Sequence, residues 1–329
     1  MSYRSVVLLV AVALLSTFVS TGECWAQTKN ARVGILSFFQ GTDDQQTREW
    51  LKPFTNALAT QGWIEGKNVS FEYRSVYGGP PQLEKTADEL VRLKVDVIFA
   101  DSAPSVRAAR AVTRTIPVVA IDFTTDPVAE GYAESYGRPG GNVTGVFLDA
   151  PEFAGKWFQL LKAVIPRLSR VVVLWDPSPG SGHLRAVEKF AKSLHIQLQV
   201  IEVHNPDDIE RAFSGLRGRP QAVIILPSPM IYNQSEQLAK LAMKHHLPAT
   251  SMAHAFAKAG GTISYGPERV SVNERCAGLV AKILAGAKTG ELPVERPTKI
   301  ELIVNLKSAK ALGLTVPESV LYRADEVIR

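Results

Sequence analysis

Val95-Asp96-Val97-Ile98-Phe99-Ala100-Asp101-Ser102-Ala103-Pro104-Ser105-Val106 reads as a buried strand that ends in a small polar loop and opens a helix. The apolar run over 95–100 is too short for a helix and rich in Val and Ile, as suits a parallel strand covered on both faces. Runs of the same kind recur at 32–39, 116–121, 170–175, 221–226 and 247–252. Between them lie helical spacings: Trp50, Phe54 and Leu58; Leu83, Ala87, Leu90 and Val91; Phe153, Trp157, Leu160, Leu161 and Val164; Leu238, Leu241 and Ala242. Strand alternating with helix predicts an α/β fold with parallel sheets. The stretch 69–76 alternates Val69, Phe71 and Tyr73 with Ser70, Glu72 and Arg74, so it reads as a strand with one wetter face.

The series occurs twice. Arg138-Pro139-Gly140-Gly141-Asn142 turns the chain at the end of the first, and the second begins at Arg170. A crossover is therefore expected near 145–151, and a return near 260–267, with an amphipathic helix over about 271–285 packing back on the first domain. Length agrees, since 329 residues suffice for two cores.

The chain is 46% apolar and 21% charged, with 37 Lys+Arg against 32 Asp+Glu and a net charge of +5, which excludes disorder, collagen and a disulfide scaffold. The pI near 9.1 does not point to nucleic acid, because the basic residues form no run of four. Near the N-terminus, Arg4 precedes an apolar stretch over 6–15 and then Ser20, Thr21, Gly22 and Glu23. That is the layout of a secretory signal over 1–26, with cleavage after Ala26 and a periplasmic mature protein. Acylation at Cys24 is the second reading, disfavoured by Glu23 beside it. After cleavage at Ala26 only Cys276 remains, so no internal disulfide can form.

Catalytic motifs are missing: no nucleophile elbow, no phosphate loop, no dinucleotide fingerprint and no His-Glu-x-x-His. His245-His246 points two ways on a helix, and Ser181-Gly182-His183 reads as a loop and helix start. Asp43-Asp44 and Asp207-Asp208 read as helix caps. No catalytic residue, metal or cofactor is assigned.

In open parallel sheets, ligands bind beyond the carboxyl ends of the strands, and two such sheets face each other across a cleft. The strand ends supply the candidates: Phe38, Phe39, Gln40, Ser102, Ala103, Ser105, Asp122, Phe123 and Thr124 in the first half; Asp176, Ser178, Ser228, Met230, Tyr232, Met252 and Tyr265 in the second. Free N–H groups at Ser102 to Ser105 would seat a carboxylate, and Ser102 reads equally well as a plain cap. The aromatic members suit a flat apolar solute. Strand alternation forbids Phe38 and Phe39 from facing the same side.

Five ordered motifs, Gly62-Trp63-Ile64-Glu65-Gly66-Lys67-Asn68-Val69, Glu89-Leu90-Val91-Arg92-Leu93-Lys94-Val95-Asp96-Val97-Ile98, Asp126-Pro127-Val128, Arg138-Pro139-Gly140-Gly141-Asn142-Val143-Thr144-Gly145 and Asn305-Leu306-Lys307-Ser308-Ala309-Lys310-Ala311-Leu312-Gly313-Leu314, closely resemble the ABC transporter substrate-binding protein family with its tryptophan- and tyrosine-type receptors. The resemblance implies a type I periplasmic binding protein: two Rossmann-like domains joined by crossing strands, closing on a small-molecule solute and presenting it to an ABC permease with its ATPase. On that basis the N-terminal domain is expected over 27–148 plus about 264–296 and the C-terminal domain over 149–263, with the tail 297–329 unassigned. A monomer that captures an aromatic amino acid or another organic carboxylate is expected. Where relatives often carry a polar Asn/Thr loop, Ser228-Pro229-Met230 admits less polar acids as well. A receptor for a membrane sensor kinase is the alternative; an exported enzyme would need an acid/base pair that is not found.

Overall fold

The computed structural model describes residues 30–38, 44–76, 80–148 and 151–329; Phe39, Gln40, Asp43 and the leader-like residues 1–26, Cys24 among them, lie outside these. The chain forms two α/β lobes, each built on a parallel-dominated sheet, and the fold is that of the type I periplasmic binding proteins.

The first sheet contains β1 (Ala31–Ser37), β2 (Val69–Ser75), β3 (Val97–Ala100), β4 (Val118–Asp122) and β5 (Val143–Phe147), all parallel, in the order β2-β1-β3-β4-β5. The central β3, β4 and β5 are buried along their whole length, which is why they read as unbroken apolar runs. The edge strand β2 instead alternates, burying Val69, Phe71 and Tyr73. Helices α1 (Asp44–Thr60), α2 (Pro80–Arg92) and α3 (Ala103–Val112) cover this sheet. Gly145 is held at φ +143 where a side chain would run into the Ala120 backbone, so only glycine lets β4 and β5 pair here.

The second sheet repeats the plan. β6 (Arg170–Trp175), β7 (Gln197–Glu202), β8 (Ala222–Ile225), β9 (Ala249–Ser251) and β10 (Ile263–Pro267) run parallel in the order β7-β6-β8-β9-β10, which is the first sheet's order again. Around it lie α4 (Pro151–Val164), α5 (Gly182–Ser193), α6 (Pro206–Ser214), α7 (Pro229–Asn233), α8 (Ser235–Lys244) and α9 (His254–Lys258). At α6 the Asn205 side chain accepts from the Asp208 N–H while Asp208 accepts from His204 N–H, two donors of a helix start satisfied reciprocally.

β10 belongs to the second sheet through its last residue, Pro267, so the return to the first lobe falls at Glu268, beyond the 264 boundary expected for it. There α10 (Arg269–Leu284) begins, capped by the Glu268 carboxylate on the Val270 and Ser271 N–H groups. It packs on α1, β3, β4 and β5, after which Glu295 bridges to Val146. The chain then crosses back once more. β11 (Ile300–Asn305) pairs antiparallel with β10, and after α11 (Leu306–Ala311) and α12 (Glu318–Leu321) the short β12 (Glu326–Ile328) pairs with β11. Residues 300–329 thus extend the second sheet.

Apolar packing is continuous between the lobes. One buried cluster runs from Val33, Phe54 and Val280 through Phe123, Leu148 and Phe153 to Trp157, Val173 and Met252. Trp157 is fully buried, and its indole N–H donates to the Tyr265 carbonyl at 3.3 Å.

Candidate functional site

Identical strand order puts the topological switch point of each sheet beside its third strand, β3 in one lobe and β8 in the other. Both strands end in the same local grammar. After β3 come Asp101, Ser102, Ala103 and Pro104; after β8 come Leu226, Pro227, Ser228 and Pro229. Ser102 and Ser228 both stand at a helix N-cap in extended conformation, φ −162 and −153, with Pro in the first turn behind them.

These two loops face one cavity, with about 540 Å³ unfilled by protein atoms and part of that space continuous with solvent. The first lobe contributes Phe38, Asp101, Ser102, Ala103, Ile121, Phe123 and Thr124, and the second Pro179, Pro227, Ser228, Pro229, Tyr232 and Asn233; Arg269 adds the start of α10. The walls are chiefly aromatic and proline surface, with polar groups at a few points, the usual make-up of a small-molecule site.

Among the polar groups, the Asp101 carboxylate accepts from Ser37 Oγ at 2.5 Å, and the Phe38 N–H and the Ser102 hydroxyl also donate to it. Enclosure by protein raises its pKa, while these donors and the nearby Arg269 guanidinium pull the other way. Arg269 Nη2 is sealed from solvent, and loss of hydration lowers the pKa of the guanidinium, opposed by Tyr232 and Asp101. Burial pushes the Tyr232 hydroxyl up to about 12, so it stays neutral and can donate. Asn233 Nδ2 is also sealed from solvent and has no acceptor among the described residues.

Not every candidate reaches the cavity. Ser105 is fully buried behind Ser102, hydroxyl to hydroxyl at 2.9 Å, and Ser102 makes no side-chain cap. Asp122 is spent on its own turn: Oδ1 accepts from the Thr124 N–H and hydroxyl, both at 2.8 Å, and Oδ2 from Thr125 Oγ1 at 2.5 Å. Asp176 does the same for Ser178, accepting from its N–H at 2.8 Å and its hydroxyl at 2.9 Å. Met230 is core beneath α7, and Met252 is core against Gly266. Tyr265 lies with Phe153 and with Lys156, whose Nζ is 5.5 Å from the ring centroid, away from the cavity lining. Asp101, Arg269 and Asn233 were not among the sequence candidates. Asp101 adjoins Ser102 at a strand end and could have been found by the same rule, whereas Arg269 carries only the signal of a cation just past a crossover.

Two contacts tie the lobes together at the cavity's edge. Arg107 on α3 donates to the carbonyl of Ser178 and, at 3.1 Å, to that of Pro179. His183, at the start of α5, places Nε2 2.5 Å from the Phe123 carbonyl. That ring is 3% exposed, and burial lowers its pKa to about 4. It is therefore neutral near pH 7, with Nε2 carrying the proton that bridges the lobes.

Known proteins resemble this chain in sequence and in fold. A tyrosine-binding protein of Clostridioides difficile (strain R20291) is 24% identical over 267 residues, 80% of this chain and 76% of that one. Among solved structures, a conserved domain protein from Vibrio cholerae superposes with TM-score 0.82 at 24% identity, covering 91% of this chain and all of that one. A Streptococcus pneumonia ABC domain in complex with L-Trp gives TM-score 0.81 at 21% identity, with the same 91% and 100% coverage. The family model described as ABC transporter substrate binding protein matches residues 33–328. With nearly the whole described chain inside that match, the chain belongs to the ABC transporter substrate-binding protein family, which binds solutes and is not a family of enzymes.

Proposed function

We propose that this chain captures a small aromatic carboxylate between its lobes and hands it to an ABC permease. The observation that carries this is the cavity whose aromatic walls come from both lobes, Phe38 and Phe123 from one and Tyr232 from the other. A solute seated there gains contacts on both sides only when the lobes are together, so binding favours that arrangement. Leader-like residues 1–26 support work outside the cytoplasmic membrane. The tyrosine named for the Clostridioides difficile relative and the L-Trp of the Streptococcus complex support an aromatic solute. Among the described residues, no helix is long and apolar enough to cross a membrane, so the permease is a separate partner in this reading.

A thermal-shift screen of the chain lacking residues 1–26 tests the proposal. Aromatic amino acids and aromatic acids are expected to raise the melting temperature in proportion to occupancy, because they bind only the folded form. No shift with any aromatic acid, or chemical alteration of one, would overturn it.

Arg107 provides a second check, because it joins the lobes without lining the cavity. Arg107→Ala removes charge-assisted bonds worth about 1 kcal/mol at a partly exposed site, so solute affinity is expected to fall about fivefold in calorimetry. Unchanged affinity would show that the lobes do not need this tie to hold a solute.

A further inference from the structure

A second hollow lies at the far end of the first lobe, where the strands begin rather than where they end. β4 starts at Val118 and β5 at Val143, and the loops feeding them, with the short helical turn Thr289–Glu291, border about 1250 Å³ of unfilled space, part of it open to solvent. β4, five residues or about 16 Å long, separates this place from Phe123 and Thr124 on the solute cavity.

Three exposed cations from three segments line it: Arg114 after α3, Arg138 in the Pro-Gly-Gly turn and Lys288 ahead of the helical turn. Against them stand Glu291, on the lining and 3.5 Å from Lys288, and Glu134, whose carboxyl lies where a side chain on Gly140 would point. A fourth cation is set behind the lining. Arg110 Nη1 donates to Asn142 Oδ1 at 2.7 Å, and Arg110 Nε is sealed from solvent with no acceptor among the described residues. Burial and then the Arg114 cation lower the pKa of this guanidinium; Tyr132 opposes them, and no carboxylate does. Four cations thus gather about two carboxylates, and a surplus of positive charge is left facing solvent.

The backbone adds neutral donors. Gly140 is held at φ +73, and its N–H donates to the Gly290 carbonyl at 3.0 Å, pinning the two segments together. A side chain on Gly290 would meet the Gly140 backbone at 3.0 Å, so glycine here lets Arg138 and Lys288 be carried side by side. The Gly141 N–H has no acceptor among the described residues, and Thr115 brings a hydroxyl to the lining. Guanidinium forks, an ammonium, glycine N–H groups and a hydroxyl around one hollow are the chemistry that holds a phosphate group.

We propose that this hollow binds a phosphate dianion, free or as the terminal phosphate of a lipid headgroup, at a place distinct from the solute cavity. The dianion offsets the surplus charge, which a carboxylate does only in part.

Backbone-amide NMR of the isotope-labelled chain, titrated with inorganic phosphate or acetate at constant ionic strength, tests this. Saturable shifts are expected at Gly140, Gly141 and Gly290, with half-saturation by phosphate at about a tenth of the concentration that acetate needs. Arg114→Gln combined with Arg138→Gln should raise the phosphate half-saturation about tenfold or more. Lys192→Gln combined with Lys307→Gln removes the same charge from the exposed surface of the second lobe, and should leave it within about twofold. If the arginine variant fails to fold, Lys288→Gln takes its place, with a loss of about threefold expected. Cosedimentation with phosphatidylcholine vesicles, with and without phosphatidic acid, separates the two sources. Binding that needs phosphatidic acid and is lost in the pocket variant but not in the control, without a response to free phosphate, assigns the hollow to a headgroup. Glycine amides that stay still, together with no such vesicle binding, overturn the proposal. So does a response that the control variant loses as fully as the pocket variant.

Discussion

Arg269→Met is expected to cost the folded chain about 2–3 kcal/mol and to weaken solute binding about 100-fold. Methionine keeps the length of the side chain but not its charge, so Asp101 loses the cation that offsets its enclosure. An enclosed carboxylate left without its nearby cation costs more than that cation's attraction contributes, because the remaining charge is stranded. The partial exposure of Asp101 and Arg269 places the figure at the lower end of that range. Two further variants separate this cause from lost packing. Arg269→Met combined with Asp101→Asn should be more stable than Arg269→Met alone, since the stranded charge is gone. Arg269→Lys should recover stability but only part of the affinity, because an ammonium lacks the planar fork that grips a carboxylate. Chemical denaturation and calorimetry read both quantities. A double variant no more stable than Arg269→Met would show that Asp101 and Arg269 do not compensate each other.

The second large effect is pH-dependent and belongs to His183. The unfolded chain takes up a proton on this ring near pH 6.5, while in the folded chain it stays neutral down to about 4. Over that window the unfolded state binds more protons, so stability is present in full above about pH 6.5 and is lost as pH falls. By pH 4 the loss attributable to His183 reaches about 3 kcal/mol. Its cause is burial, opposed only by the bond to the Phe123 carbonyl, and no charged neighbour contributes. Asp101 and Asp122 move in the opposite sense, because enclosure raises their carboxyls and the folded form takes up their protons first. The component from His183 is therefore read as the difference between the chain and His183→Gln, whose stability should decline less steeply between pH 6.5 and 4. Since this bond joins the lobes, solute affinity should fall over the same window. Parallel pH profiles for the two proteins would show that His183 is not the buried neutral group described here.

How much of this was readable beforehand depended on whether the signal was local. The strands β3, β4, β6 and β8 announced themselves because residues buried on both faces must be apolar in succession. β7, Gln197–Glu202, did not, because an edge strand with half-exposed faces reads like a loop: Val200 is 38% exposed. The tail at 297–329 had no legible place because β11 finds β10 by antiparallel pairing across some thirty residues, which no local pattern encodes.

The rule that ligands gather at strand ends led to Phe38, Ser102, Ala103, Phe123, Thr124, Ser228 and Tyr232, all on the cavity lining. It also brought in Asp122 and Asp176, whose carboxylates fold back on the next two or three residues, because a turn-forming aspartate and a ligand-facing one look alike in sequence. Arg269 escaped because it reaches the cavity only when α10 docks against α1 after the chain has left the second lobe.

A crystal structure of the chain with the tightest solute from the thermal-shift screen bears most directly on capture between the lobes. The expected result is one unaltered solute molecule among Phe38, Phe123 and Tyr232. Density instead in the outer groove between Thr125, Glu130 and the face of α5 near Arg185 and Lys189, with the central cavity empty, would contradict the account.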